Sequence, residues 1–423
     1  MASSTDSAPA AGSTAPTATG RFPGWWVVTG CFIVLVTTSG LGFYGLAVYL
    51  NAFSNEQGWS LSSISFATTV FFIVGGSTGI WVARAIATVD VRWIIMTGGL
   101  LGGCALAVLG QVETQLQLFL VYGVFGVGFA MAGLVPATTV VTRWFQARRS
   151  VALSVASTGL SVGGIVLTPI AKRLLDDRGL EAGTPWLGLI FVIGVVPVAW
   201  FLVRPDPAAE GWAPDGEPLI ADEPPPPTTG VRLHEALRTR FFVSLAVGYV
   251  LVLGSQVGGI QQMVKLVEER TDPATARLAI TVLAATSVVA RLVGGRVAQH
   301  VPIMGLTALL AAVQAVAMIW LGLADTTAMI FGAIILFGLT IGNILMLQPL
   351  LIAERFGVLD YAKIYSRSSF LSMMGTAAGP FLLGWLYDVT GAYRWPYTIA
   401  AGLSLLGAFV LSRGGPAEVA SND

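Results

Sequence analysis

The sequence predicts an all-α membrane protein of about twelve transmembrane helices, arranged as two pseudo-symmetric halves of six helices each. Three observations predict this fold class. Of the 423 residues, 55% are hydrophobic and only 11% are charged, whereas about 25% of the residues of a soluble domain are charged. Twelve apolar runs are each long enough to cross a bilayer, and the first six runs resemble the last six.

The apolar runs are interpreted as helices because a spanning helix needs roughly 20 mostly apolar residues. Inside a bilayer the backbone finds no water, so runs this long and apolar pair their own amides and carbonyls in a helix. The predicted spans cover residues 24–50, 61–83, 92–111, 115–142, 148–172, 185–204, 240–268, 274–298, 302–323, 326–353, 361–387 and 394–412.

The polar segments divide the chain into five parts. The start of the chain is rich in Ala, Ser, Thr and Pro and lacks the basic, then apolar, pattern of a signal peptide, which predicts a disordered tail. The proline-rich central segment predicts a linker that ends in a short surface helix at 232–238. In order, the predicted parts are a tail, a first half, a linker, a second half and a tail, at residues 1–20, 21–204, 205–239, 240–412 and 413–423.

The distribution of basic residues predicts the orientation. With the N-terminus inside, the inner loops and helix ends hold fifteen Lys and Arg residues, and the outer ones hold seven. Because basic loops stay on the cytoplasmic side, both termini and the linker are predicted to be cytoplasmic. We expect a multi-pass protein of the plasma membrane.

The two halves repeat each other at nearly fixed offsets. Gly79 and Gly295 lie 216 residues apart, and Pro169 and Pro380 lie 211 apart. A chance match among common membrane residues is the alternative, but repeated proline and aspartate pairs in one register argue against it. Parallel halves of this kind enclose a site near the bilayer midplane and expose it to each side in turn. The repeat therefore predicts a secondary transporter.

Several short motifs lie at the helix ends. They are Gly24-Trp25-Trp26, Gly58-Trp59-Ser60, Arg143-Trp144-Phe145, Gly379-Pro380 and Gly391-Ala392-Tyr393. With these motifs the chain resembles the major facilitator superfamily, and within it the monocarboxylate-porter and oxalate/formate-antiporter-like group. One departure is clear, because the aspartate of the superfamily's Gly-x-x-x-Asp signature is replaced by Ala83 in one half and by Gln299 in the other.

Arg291 is the most informative single residue. It lies in the eighth predicted span with no acidic residue within a helical turn. An arginine in a bilayer costs at least about 2.5–3.5 kcal/mol, so it should face a cavity or a partner. Its planar guanidinium matches a carboxylate, and the resemblance places the group's substrate-binding arginine at this position. The alternative is an arginine near the inner helix end that reaches the lipid headgroups.

Other polar residues within the spans are candidates for orienting a ligand. They are Ser39, Tyr44, Gln256, Gln261 and Asn343. The resemblance aligns Tyr44 with a lysine of the group's first helix, and Ser287 with an aspartate one turn before the arginine. The alternative for each candidate is a hydrogen bond between helices, worth about 0.6 kcal/mol on average.

These features predict a transporter of small organic anions that works by alternating access. A single cation in the cavity favours monocarboxylates, and proton coupling stays open because no Asp or Glu lies near the middle of a predicted span. Two alternatives remain, an exporter of an apolar natural product or drug and a transporter-like membrane sensor. No cluster of nucleophile, base or metal ligands predicts an enzyme or a cofactor. Besides its substrate, the lipid bilayer is the expected partner, and we expect a monomer that binds no nucleic acid.

Overall fold

The computed structural model of the protein describes residues 22–59, 61–219 and 229–415. The predicted tail 1–20, most of the tail 413–423 and the middle of the linker lie outside the described residues. Within them, eleven helical stretches are long and apolar enough to cross a membrane. One of these, Arg149–Leu202, has 54 residues and breaks at Gly179, where φ is 73°. It therefore supplies two spans.

The described chain thus contains twelve spans, here named α1 to α12, as the sequence predicts. In chain order they are α1 (Gly24–Thr38, the π-helical Ser39–Phe43 and Gly45–Glu56), α2 (Leu61–Ala85), α3 (Val91–Val108), α4 (Gln115–Met131 and Leu134–Trp144), α5 and α6 (Arg149–Leu202, divided at Gly179), α7 (Arg240–Arg270), α8 (Pro273–Val297), α9 (Ile303–Leu323), α10 (Thr327–Phe356), α11 (Tyr361–Thr390) and α12 (Arg394–Ser412).

Threonine side chains define where several of these helices begin. Thr239 Oγ1 accepts a hydrogen bond from the Phe242 amide at 3.1 Å at the start of α7. Thr326 Oγ1 accepts one from the Met329 amide at 3.3 Å at the start of α10. Each bond satisfies an amide that a helix start leaves without an intrahelical partner. The helix boundaries therefore follow from local sequence as well as from hydropathy.

Glycines allow the first and fifth helices of each half to cross closely. A Cβ at Gly163 on α5 would lie 2.2 Å from the carbonyl oxygen of Val36 on α1. A Cβ at Gly379 on α11 would lie 1.9 Å from that of Gly254 on α7. Small residues at such crossings let membrane helices gain van der Waals contact that lipid chains do not provide. Both halves therefore use the same packing device.

The two halves pack together on one side of the molecule. We call the side that carries the linker and residues 22 and 415 the linker side, and the opposite side the far side. One buried apolar core joins the first half to the linker-side part of the second half, where it includes Leu347 and Tyr365. The far-side part of the second half has a separate core around Leu266 and Tyr397. The halves are thus closed against each other on the linker side.

The first part of the linker is more ordered than its composition predicts, because it docks on the first half. Trp212 is only 8% exposed, and its ring centroid lies 5.7 Å from that of Phe22. The carboxylate of Asp215 accepts hydrogen bonds from the amides of Gln146 and Ala147 at 2.9 and 2.7 Å. A carboxylate at the start of α5 is also favoured by the helix dipole.

The last part of the linker docks on the second half. The Val231 amide donates to the Phe356 carbonyl at 2.8 Å. A short helix, Leu233–Leu237, follows, and its first amide donates to Asp360 Oδ2 at 2.9 Å. Lys363 Nζ lies 2.7 Å from the other carboxylate oxygen of Asp360. The linker is therefore attached to each half by a separate set of hydrogen bonds.

Candidate functional site

Arg291 lies buried between the two halves, with 2% of its surface exposed. It stands six residues from the linker-side end of α8, about 9 Å along the helix axis. Its Nε donates to the carbonyl of Gly342 on α10 at 2.6 Å, and its Nη1 donates to the carbonyl of Ser157 on α5. A guanidinium bonded to both halves does not extend to the lipid headgroups.

The charge of Arg291 has no neutralising partner among the residues that the structure describes. Both of its side-chain hydrogen bonds go to main-chain carbonyls, and Nη2 has no hydrogen-bond partner within the described ranges. Carbonyl dipoles satisfy N–H groups but do not cancel a charge. Because the low dielectric of the interior strengthens electrostatic attraction, Nη2 is well placed to bind an anion.

A second contact joins the same two helices. Ser154 Oγ on α5 donates a hydrogen bond to the main-chain carbonyl of Arg291. Gly295 lies one turn further along α8, and a Cβ there would come within 2.4 Å of the Ser154 Cβ. Ser154 is not among the residues predicted from the sequence. The sequence did contain one indication of this contact, because small residues, Ser154 and Gly295, stand at the facing positions of α5 and α8.

Tyr44 reaches the same region from the first helix. It follows the π-helical segment Ser39–Phe43, and its amide donates to the carbonyl of Ser39, five residues back, at 2.9 Å. Single π-helical turns of this kind occur frequently at functional sites. The Tyr44 hydroxyl lies within electrostatic range of the guanidinium of Arg291, across the two halves. The structure therefore brings these two predicted residues together.

A cavity of about 280 Å³ lies beside Tyr44 on the far side, between α1 and α5. Tyr44 is 42% exposed and is one of the residues that line this cavity. Its ring packs against Gly164, where a Cβ would lie 2.8 Å from the ring. Further toward the far end of α5, Lys172 lies 2.8 Å from Asp176, and both side chains are more than half exposed. The charge of Lys172 is thus neutralised, whereas that of Arg291 is not.

Two polar side chains near Arg291 have buried atoms without a hydrogen-bond partner among the described residues. Asn343 Nδ2 donates to the carbonyl of Leu339 at 3.0 Å, but Asn343 Oδ1 is buried without a partner in the described chain. Ser287 Oγ, one turn before Arg291, is buried and unpaired among the same residues. A buried unpaired polar atom costs about 1–3 kcal/mol. The Ser287 hydroxyl can donate to an anion, whereas Asn343 Oδ1 is an acceptor that lies against Gly294 and cannot.

The other predicted site residues lie apart from this cluster. Ser39 Oγ donates to a main-chain carbonyl of α5 at 2.8 Å. Gln256 Nε2 donates to Gln314 Oε1 at 2.6 Å, and Gln314 is fully buried between α7, α9 and α12. Gln261 is exposed on α7. In the described chain none of the three forms a hydrogen bond with Arg291, and their part in binding stays a prediction.

Two six-helix halves that meet around the buried Arg291 define a multi-pass membrane transporter fold. The sequence profile of the Major Facilitator Superfamily matches residues 31–359 and 268–422. The chain therefore belongs to this superfamily, and it is a transporter rather than an enzyme. Both the superfamily and the fold class predicted from the sequence are confirmed.

Two relatives and one solved structure are similar to this chain, and the solved structure shows the same fold. Monocarboxylate transporter 11 of Mus musculus is 26% identical, with 92% of this chain and 86% of the relative aligned. An MFS-type transporter of Gibberella moniliformis is also 26% identical, with 93% and 91% aligned. Among solved structures, the E. coli fucose:proton symporter FucP matches with a TM-score of 0.71 at 14% identity, over 93% of this chain and 98% of FucP.

Proposed function

We propose that the protein carries small organic anions, above all monocarboxylates, across the plasma membrane, and that Arg291 binds the carboxylate. The observation that carries this proposal is a buried guanidinium that contacts both halves and has no carboxylate partner in the described chain. The similarity to monocarboxylate transporter 11 supports the same substrate class.

The charge of the site favours one carboxylate over two. A monocarboxylate neutralises Arg291 and leaves no net charge in the low-dielectric interior. A dicarboxylate would bring a second charge, and Lys172, which lines the cavity beside Tyr44, is already paired with Asp176. An unpaired buried charge is costly. Around the bound carboxylate, the Tyr44 hydroxyl and the unpaired Ser287 Oγ would supply hydrogen bonds.

Arg291 also provides a way to link binding to alternating access. A carboxylate bound to Nη1 and Nη2 as a bidentate pair would replace the hydrogen bond from Nη1 to the Ser157 carbonyl. The contact between α8 and α5 would then weaken. Because a ligand shifts a conformational equilibrium by its differential affinity, substrate would favour opening on the linker side. With the predicted orientation, that movement releases substrate into the cytoplasm.

Proton coupling follows a similar argument. No Asp or Glu forms a hydrogen bond or an ion pair with Arg291 among the described residues. A proton that moves with the anion would therefore bind the substrate carboxylate itself, and only after that carboxylate has left Arg291, because a neutral carboxylic acid does not neutralise the guanidinium. Transport that depends on pH through the substrate, and not through a protein carboxylate, is the coupling that this site supports.

Counterflow in proteoliposomes tests the proposal. The panel consists of radiolabelled mono- and dicarboxylates at two pH values, with wild-type protein, Arg291→Ala and Arg394→Ala. Arg394 is an exposed arginine at the far-side end of α12 and serves as a control for charge removal. We expect saturable monocarboxylate exchange that Arg291→Ala abolishes and Arg394→Ala retains. Unchanged exchange by a correctly inserted Arg291→Ala variant would contradict the assignment.

The same assay separates the two alternatives. An exporter of apolar compounds would show no exchange of carboxylates, but would move an apolar dye or drug out of liposomes. A membrane sensor would bind a ligand saturably without any flux. Either result would replace the proposed function, while the fold and family would stand.

A further inference from the structure

A basic pocket lies on the linker side of the second half, far from Arg291. It is an open hollow of about 510 Å³ between the start of α7 and the end of α12. We name it the basic pocket, and its lining residues are Arg238, Arg240, Val243, Ser244 and Arg413. The three arginines come from two separate segments of the chain, so the fold, rather than one basic stretch of sequence, brings them together.

The three arginines of the basic pocket form no ion pair within the described residues. The acidic residue nearest to them in sequence is Glu235, and its carboxylate lies 3.5 Å from His234 Nε2. The guanidinium of Arg413 lies 4.8 Å from the centroid of the Phe409 ring. A cation–π contact orients an arginine but leaves its charge in place. The pocket therefore holds about three positive charges that can attract an anion.

The surroundings of the pocket indicate where that anion comes from. Val243, one of the residues that line the basic pocket, is 53% exposed. One turn further into the membrane along each helix, Val247 and Phe409 are also largely exposed. Exposed apolar side chains on a spanning helix face lipid chains. The basic pocket thus opens both toward the headgroup level and toward the acyl chains, which suits an amphiphile better than a free ion.

We propose that the basic pocket binds the headgroup phosphate of an anionic phospholipid in the linker-side leaflet. Phosphate oxygens accept hydrogen bonds from arginine in the same planar geometry as a carboxylate. Basic pockets between transmembrane helices on the cytoplasmic side are suited to such headgroups. The Ser244 hydroxyl, which forms no hydrogen bond in the described chain, adds a donor. A lipid bound here connects α7, α12 and the end of the linker.

Native mass spectrometry of the full chain in a non-ionic detergent tests this proposal. The protein is titrated with phosphatidylglycerol and, separately, with phosphatidylcholine of the same acyl chains. A basic residue near an anionic surface contributes enough to change binding about fivefold. We expect Arg413→Gln to weaken the first phosphatidylglycerol site about fivefold and the triple variant R238Q/R240Q/R413Q about a hundredfold. Phosphatidylcholine binding should not change.

Two matched variants make the result specific. The control triple variant R173Q/R178Q/R394Q removes the same charge on the far side and should leave the first phosphatidylglycerol site unchanged. Ser244→Phe keeps all three arginines but fills the pocket, and it should weaken the site. Equal phosphatidylglycerol affinity in wild-type and R238Q/R240Q/R413Q protein, or equal loss in the control triple variant, would overturn the proposal.

A competition arm distinguishes a lipid from a soluble phosphate. Inorganic phosphate and glycerol phosphate carry the same charged group without acyl chains. We expect neither to displace phosphatidylglycerol at a hundredfold molar excess. Displacement by either compound, lost in R238Q/R240Q/R413Q, would assign the pocket to a soluble phosphate and overturn the lipid proposal. All these readouts are independent of the transported substrate.

Discussion

The hydroxyl of Ser154 in the first half donates a hydrogen bond to the main-chain carbonyl of Arg291 in the second half. In return, the Arg291 guanidinium donates to the carbonyl of Ser157, one turn further along α5. Two reciprocal bonds thus join α5 to α8 at the level of the proposed binding site. The residue that would bind the anion also holds the halves together, and this connects site occupancy to conformation.

Removing one of these bonds should favour the state that is open on the linker side. Ser154→Ala loses the bond to Arg291, worth about 1 kcal/mol, and this changes the ratio of the two states roughly fivefold. Spin labels at Val89 and Val301, which are exposed on the linker side of opposite halves, would report a larger population of long distances. The two native cysteines are replaced by serine. Ser161→Ala on the same helix is the control, and an unchanged distance distribution in Ser154→Ala would contradict the link.

The close approach of α5 and α8 makes a second prediction. A Cβ at Gly295 would lie 2.4 Å from the Cβ of Ser154, whereas a Cβ at its repeat counterpart Gly79 would meet nothing within 4 Å. Overpacking of this kind costs about 1–3 kcal/mol. We expect Gly295→Ala to reduce the initial rate of uptake roughly tenfold and Gly79→Ala to keep it, after correction for the amount of protein in the membrane. Equal rates for the two variants would be inconsistent with this packing.

The features predicted correctly from the sequence are those that the bilayer itself imposes. The length and apolar character of a span are fixed by bilayer thickness, so the twelve spans could be marked with small errors at their ends. Arg291 was visible because a single charge in a long apolar run is unusual. The glycine pairing shows the limit of such patterns. Gly163 packs against α1, and both Gly375 and Gly379 pack against α7. The glycine-rich stretches thus predict a close crossing, but not which glycine meets which neighbour.

The features that the sequence did not predict depend on which face of a helix meets which neighbour. Gln256 and Asn343 look alike in sequence, as single amides in apolar spans. In the structure Gln256 is engaged by Gln314, whereas Asn343 Oδ1 is buried and unpaired near Arg291. The linker is a similar case. Its prolines predict a loose tether, but Asp215 finds the free amides at the start of α5, a match that requires the folded first half.

The position of Tyr44 predicts an effect on substrate charge. Its hydroxyl lies within electrostatic range of the Arg291 guanidinium, where the proposed site places the substrate carboxylate. Loss of a hydrogen bond from this hydroxyl to the carboxylate in Tyr44→Phe should raise the KM for a monocarboxylate about fivefold. Tyr44→Lys places a cation near Arg291 that lacks the acidic partner Lys172 has in Asp176, and it should improve the uptake of dicarboxylates relative to monocarboxylates. Tyr44→Leu, which changes size without adding charge, is the control. Unaltered selectivity in Tyr44→Lys would show that Tyr44 does not face the bound anion.

The network around Gln314 separates a structural role of Gln256 from a role in binding. Gln256→Leu leaves Gln314 Oε1 without its donor inside the second half. An unsatisfied buried polar atom costs about 1–3 kcal/mol, so the thermal unfolding midpoint should fall while the KM stays constant. Gln261→Leu, at an exposed position of the same helix, should leave the midpoint unchanged. A raised KM at an unchanged midpoint in Gln256→Leu would instead place Gln256 in the substrate site.

The attachment of the linker to Asp360 predicts a defined pH dependence. Partial burial raises the pKa of Asp360, but the hydrogen bonds from Lys363 and from the first amide of the helix Leu233–Leu237 outweigh it, so that its pKa lies below the ordinary value. A carboxyl group with a lowered pKa in the folded state stabilises the protein fully above its unfolded pKa, about 3.9. This stability is lost as the pH falls through the lower, folded value.

Asp360→Asn should therefore lower the thermal unfolding midpoint at pH 7. The side chain is 17% exposed, and a hydrogen bond to a charged group is worth roughly 1.5–3 kcal/mol, less where solvent reaches it. Between pH 8 and pH 5 the difference in midpoint between wild type and variant should stay constant, because Asp360 is ionised throughout. Below the ordinary aspartate pKa the difference in midpoint should shrink as the wild-type carboxylate takes up a proton.

The control is Asp388→Asn, at an exposed position near the other end of α11, which should show no difference in midpoint from wild type at any pH. A gap that instead closes between pH 8 and pH 5 would mean that a group other than Asp360 controls the attachment.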